Sequence, residues 1–358
     1  MKKREANFEL LRIVAMLMII TLHYLDKGGV LPNPGGSLGI SGFLAWGLEA
    51  FCVSAVNVYV LMGAYFLAEG EYCPMRAVRL WLQTVFYSVG IVSVLLIAGI
   101  VSMEQIDKYR LLSYVFPVIE EHYWFATAYI LMLLFAPLMN DGLRRLPEKT
   151  YQKGIGFLLL VLCVSKSVLP VKLPTDRLGY DTLWFLCLYL IGAYIRYYGA
   201  SDTMLKKIGR LRTALVGYVL CSLLIFASFA AVYIFYQRTG SLAEFINRQY
   251  NYNSILCLAA SVFLFYIFYH ITIQKGRLAD MICRAASASF GVYLIHEHLD
   301  LRYLWPTWLG VLNFADTPLF FVHWLSSIVA VYIACMAVDF CRQFLFRKIQ
   351  AFCRLNYL

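Results

Sequence analysis

Charge is scarce in this sequence. Asp, Glu, Lys and Arg make up 15% of its 358 residues, where soluble domains carry about 25%, so an ordinary soluble globule is excluded. No CxxC pair occurs among the ten cysteines. Cys52, Cys163, Cys187, Cys221, Cys257 and Cys335 lie inside apolar runs, which argues against a disulfide framework or a zinc site. No small-residue cleavage site follows "MKKREANFELLR", so the first apolar run is expected to be a retained signal anchor. Repeats of fixed period and low-complexity tracts are lacking too, which removes solenoids and disordered tails from consideration. The net charge of +10 does not mark a nucleic-acid binder, because the basic residues sit in short clusters between apolar runs, where membrane topology places them.

What fills the space is hydrocarbon. The chain is 61% hydrophobic, with a mean hydropathy of +0.68. Apolar runs of about 20 residues recur along it, the length that crosses a bilayer as helix. Ten spans are expected, near 8–26, 43–68, 78–101, 123–140, 154–170, 181–198, 213–236, 253–273, 286–303 and 319–342. The fold class is therefore all-α, a polytopic membrane helix bundle forming one domain over 1–358. If the N-terminus is cytoplasmic, 21 basic residues fall in inner segments and nine in outer ones, a bias that predicts both termini inside. The long outer segment 102–122 is expected to hold a short helix lying on the surface.

A few polar residues stand inside these runs, where each ionisable group costs roughly 2.5–3.5 kcal/mol on insertion scales. "NFELLRIVAMLMIITLHY" carries Arg12 and His23 eleven residues apart. That spacing puts them on one helix face, about 16 Å apart along the axis, with Glu9 one turn before Arg12 and able to pair with it. By this helix alone, Arg12 could equally snorkel to the inner interface and His23 could be an ordinary interfacial histidine. Glu49 in the second run, Asn57 in "VNVYVLMGAYFL", His122 and Trp124 in "EEHYWF", and Tyr293, His296 and Glu297 in "FGVYLIHEH" suggest convergence on one outward-opening polar cavity. Such a cavity could hold a general base and its orienting acid. His296 and His298 are two apart and face different sides of a helix, poor geometry for a metal, so no metal site is expected. Arg76 and Arg79 in "PMRAVRL" are one turn apart at an inner helix end; guanidiniums at that spacing can grip phosphates, though topology alone also places cations there.

The R-x10-H pattern of Arg12 and His23 in the first span resembles the integral-membrane acyltransferase family 3. "VNVYVLMGAYFL", "RAVR", "HYWFATAYILMLLFAPLMN" and "FGVYLIH" are similar, in the same order, to further stretches of that family. The likeness runs from Asn7 to about His296. It departs at Gly63-Ala64, where the family has Ser-Gly, and lacks a proline after the R-x-x-R, with Gln83 nearby instead. The resemblance implies transfer of an acyl group, commonly acetyl, from cytoplasmic acyl-CoA to a hydroxyl of an acceptor handled outside: a cell-surface polysaccharide, a lipid-linked glycan or a cell-wall component. It implies His23 as general base or acyl relay, Arg12 held by Glu9 at the donor, and Arg76 and Arg79 on CoA phosphates. Glu49, Asn57, Trp124, Tyr293 and His296 would serve the acceptor, with orientation of His23 the alternative for Glu49 and His296, in a multi-pass protein of a bacterial inner membrane. A transporter or flippase moving a polar solute or glycan through the same cavity is the alternative, although the paired, Gly/Pro-interrupted spans typical of repeat-built transporters are not seen.

Overall fold

The computed structural model describes residues 5–169 and 177–355, with side chains through Lys348. Lys2, Lys3, Arg4 and Lys172, and the side chain of Arg354, which entered the charge count, lie outside what is described. Among the described residues every regular element is helical. The principal helices are α1 (Ala6–Asp26), α2 (Ile40–Cys52), α3 (Ala55–Leu67), α4 (Met75–Ile97), α5 (Lys108–Val115), α6 (Trp124–Phe135) and α7 (Glu148–Leu159). They continue with α8 (Thr182–Tyr198), α9 (Leu211–Thr239), α10 (Ile255–Tyr269), α11 (Arg277–Ala286), α12 (Ser289–His296), α13 (Leu301–Trp308) and α14 (Phe320–Leu355).

Nine stretches among the described residues are helical, long and apolar enough to cross a membrane. The tenth expected span corresponds to α8, whose 17 residues make a rod of about 26 Å, short of a ~30 Å hydrocarbon core. The count of ten is therefore not reached on length and composition. The expected surface helix exists as α5, capped by the Asp107 carboxylate accepting from Arg110 N at 2.8 Å. Tyr109, Leu111 and Leu112 are exposed on it.

α1 is the central post. Phe8, Leu11, Ala15, Ile20, Tyr24 and Leu25 are all essentially inaccessible, and the helix packs against α2, α3, α10, α11, α12 and α14. Small residues let other helices close on each other, as membrane packing favours: at the α3–α8 crossing, a Cβ on Gly192 would lie 2.6 Å from the Ala64 Cβ.

Two expected spans differ in detail. The run 43–68 is continuous in hydropathy, yet the helix breaks between Cys52 and Ala55. The carbonyls at this break find partners on α10: Ser261 Oγ donates to Ser54 O at 3.2 Å, and the Cys257 thiol lies 3.7 Å from Val53 O. Buried backbone polar groups at membrane depth require such partners. The run expected at 286–303 is shifted: α11 and α12 together form the span Arg277–His296, and the helix ends at His296. α12 lies so close to α14 that a Cβ on Gly291 would sit 2.2 Å from Asp339 Oδ1. That buried carboxylate also accepts from Tyr87, Arg342 and Gln343, so it has little freedom to move aside. Gly291→Ala is expected to cost about 1–3 kcal/mol by overpacking, read as a lower thermal unfolding midpoint in detergent.

Candidate active site

The C-terminal end of α1 delivers His23 to a cavity of about 630 Å³ lined also by Glu49, Trp124, Tyr293, Glu297 and Arg302. Its walls are aromatic: Trp124 packs on Tyr180 and Tyr252 with centroids 4.5 and 5.8 Å away, and Trp46 meets Tyr250 at 4.9 Å. Nine buried side-chain polar atoms lack a hydrogen-bond partner among the described residues. Five of them belong to residues lining this one cavity: Trp46 Nε1, Glu49 Oε2, Tyr293 Oη, Glu297 Oε2 and Arg302 Nε. Orphaned buried polar atoms are rare in folded proteins, so their concentration here marks a site built for a polar guest.

Three elements fix the histidine. His23 Nδ1 lies 2.9 Å from His296 Nε2, and His296 Nδ1 lies 2.6 Å from Val292 O on the preceding turn of α12. A carbonyl only accepts, so Nδ1 of His296 carries the proton and its Nε2 is the acceptor. His23 Nδ1 is therefore the donor, which leaves the lone pair on His23 Nε2 uncommitted. Glu297 Oε2 stands 3.3 Å from the same Nδ1 of His23. Arg302 Nη1 lies 3.5 Å from the other Glu297 oxygen, and Lys27, paired with Asp26 at 2.6 Å, also lines the cavity. The arrangement is a base with an orienting imidazole and a carboxylate behind it.

Glu297 reaches His23 because α12 stops. The following turn is pinned from behind: Leu299 N donates to His122 Nε2 at 2.8 Å, and His298 Nε2 donates to Ser88 O at 3.0 Å. The Asp300 carboxylate takes the Tyr114 hydroxyl at 2.8 Å and pairs with Arg110, both on α5. Burial lowers the His122 imidazole from the usual 6.5 to about 3 and that of His298 to about 4. Between those values and 6.5 the unfolded chain binds more protons than the folded one, so stability rises with pH there. The contribution is whole above pH 6.5 and is lost as pH falls toward 3, at up to about 1.4 kcal/mol per unit for each histidine. Thermal midpoints measured from pH 7.5 down to 4.5 are expected to fall, and to fall less in His122→Gln.

Among the residues anticipated from sequence, His23, Tyr293, Glu49 and Trp124 line one cavity, and His296 stands behind His23, bonded to it. Asn57 stands behind its wall, fully buried: its amide nitrogen donates to Tyr252 O at 2.7 Å and its oxygen accepts from Trp184 Nε1 at 3.0 Å. Arg12 is at the other end of α1, paired with Glu9 at 2.6 Å as the spacing predicts. Aromatic side chains stand between it and the cavity. Tyr59 and Phe125 line the cavity, Phe125 stacks on Tyr129 at 5.5 Å, and Arg12 lies within electrostatic reach of both tyrosines. The departure at Gly63 has a steric reason here, since a Cβ would come 2.5 Å from the Tyr129 hydroxyl. Arg76 and Arg79 are exposed at the start of α4. His122 supports the turn behind the site and does not line it. Glu297, grouped with the cavity residues in sequence but given no role there, completes the site with Arg302 and Lys27, which were not singled out as site residues. Their signal was the acid directly after His296 and two cations at span ends, where topology supplied a sufficient reason for the cations.

A family model described as an acyltransferase domain matches residues 5–340. No curated protein and no solved structure matches the chain.

Proposed function

The chain belongs to the membrane acyltransferase family 3, and from that membership we propose an acyl-CoA-dependent O-acetyltransferase that modifies an extracytoplasmic glycan or cell-wall component. The observation carrying this reading is the hydrogen-bond chain Val292 O–His296–His23, which holds His23 with Nε2 ready to accept a proton. In the proposed reaction the acceptor hydroxyl gives its proton to His23 Nε2 as its oxygen attacks the thioester carbonyl carbon. The carbon–sulfur bond breaks, and the CoA thiolate takes the proton back from the imidazolium. Glu297, 3.3 Å from Nδ1, stabilises the positive ring in between. A neutral imidazole could also carry the acetyl group itself in a two-step relay.

The aromatic walls and orphaned polar atoms suit a saccharide, whose CH faces stack on rings while its hydroxyls take up donors and acceptors. Glu49, Tyr293 and Trp124 are the proposed acceptor contacts, with His296 orienting His23 behind them and Asn57 bracing the wall through Tyr252 and Trp184. At the other end, Arg12 held by Glu9 would meet the donor, and Arg76 and Arg79 its phosphates. With both termini cytoplasmic in a bacterial inner membrane, the donor end would face CoA and the His23 cavity would face outward. Incubating the purified protein with acetyl-CoA and a soluble oligosaccharide tests the proposal. Release of CoA that depends on the sugar supports it, and the absence of both acetyl-CoA binding and thioester cleavage sinks it.

A further inference from the structure

A second groove opens at the Arg12 end of the bundle, about 410 Å³ in volume, among α3, α8, α10, the short helix Thr203–Ile208 and the following Gly209 and Arg210. Tyr65, Tyr266 and Tyr269 give it aromatic surface, and Arg196, Lys206 and Arg210 give it charge. Arg196 is held rigidly: it donates to the Tyr65 hydroxyl at 2.9 Å, pairs with Glu69 at 2.5 Å and lies 4.8 Å over the Tyr65 ring. The nearby acid, Asp202, is already committed to the Tyr194 hydroxyl, the Gln152 amide and Leu205 N. Lys206 and Arg210 have no acidic partner among the described residues, so the groove carries two uncompensated positive charges. Tyr266 is 5% exposed and its hydroxyl has no partner among the described residues. Gly209 permits the close approach beneath it, because a Cβ there would lie 2.9 Å from the Tyr266 ring.

Two positive charges, a waiting hydroxyl and the half-exposed ring of Tyr269 (46%) match a phosphomonoester attached to a flat base. We infer that this groove binds a phosphomonoester group, and that its source is the 3′-phosphorylated adenosine of the acyl-CoA donor. The identity of that source rests on the acyltransferase reading; the phosphate chemistry does not. The location supports it. Glu69, which grips Arg196, and Gly70, beside Arg76, belong to one loop, so a ligand could span both. Phe8, one turn from Arg12, packs on Tyr65 at 5.6 Å.

The test compares CoA with 3′-dephospho-CoA by calorimetry on the wild type and on a Lys206→Gln/Arg210→Gln variant. The wild type is expected to prefer CoA by at least about 10-fold, the worth of one charge-assisted contact. The variant is expected to bind CoA only as well as dephospho-CoA, whose retained binding shows that it is folded. Vesicles of phosphatidylcholine with and without phosphatidic acid form the second arm. Stabilisation of wild type but not variant by phosphatidic acid, with no preference for CoA, keeps the phosphomonoester site and assigns it to lipid. A wild type that binds neither CoA nor dephospho-CoA counts against the donor reading, and the lipid arm alone then judges the groove. A variant indistinguishable from wild type in both arms overturns the inference.

Discussion

His23→Ala is expected to reduce acetyl transfer by at least about 1,000-fold, within the range attributed to a positioned acid–base group. The substitution removes the imidazole whose Nε2 the hydrogen-bond chain through Nδ1 leaves for the proposed proton transfer. It also leaves His296 Nε2 without the donor it now accepts from at 2.9 Å, so the alanine variant alone mixes two effects. His23→Gln separates them. Its amide can still donate to His296 but cannot shuttle a proton, and the loss should be nearly as large. Measuring CoA release with acceptor present, alongside acetyl-CoA binding, checks both variants. Binding should survive while turnover disappears. Turnover within 10-fold of wild type in either variant would remove His23 from the chemistry.

Glu297→Gln is expected to lower kcat by about 100-fold with KM changed little, because its carboxylate matters most when the neighbouring ring is charged. While His23 is neutral, Glu297 Oε2, 3.3 Å from Nδ1, is an electrostatic bystander. Once the acceptor proton arrives, the same separation becomes an ion pair shielded from bulk water, where charges interact far more strongly. Glutamine preserves shape and loses that attraction. It also leaves Arg302, 3.5 Å from Oε1, facing a neutral amide, so Arg302→Gln in the Glu297→Gln background should restore little if the effect runs through His23. Initial rates across acceptor concentrations give the kcat and KM split; a pure KM effect would assign Glu297 to acceptor binding.

Much of the fold was legible because bilayer physics writes strongly into sequence. Run lengths located nearly every span, and the 3.6-residue period placed Glu9 against Arg12 and His23 on the same helix as a distant partner. The end of α12 was not legible. "HEHLDL" contains no glycine or proline, and the chain stops being helical there because His122, 177 residues away, takes the Leu299 N–H, while His298 reaches Ser88 O. Stop signals of that kind are tertiary. α11 escaped for the opposite reason: its polar residues hid it from a search for continuous apolar runs, though with α12 it completes a span. Asn57 resembled a cavity residue because a mid-span amide must be satisfied somewhere. Its partners, Trp184 and Tyr252, lie 127 and 195 residues along the chain, beyond what periodicity can connect. Glu297 was visible as an acid beside His296, but its approach to His23 depends on the helix end that sequence did not reveal.

In the proposed function, acetyl transfer from a donor at one membrane face to a hydroxyl at the other depends on His23. Sealed vesicles test it most directly, with acetyl-labelled acetyl-CoA on the Arg12 side and an oligosaccharide acceptor on the His23 side. Labelled sugar is expected on the His23 side with wild type, none with His23→Ala, and no passage of unmodified sugar in either. Labelled product that persists in His23→Ala, or sugar that crosses without being acetylated, would contradict it.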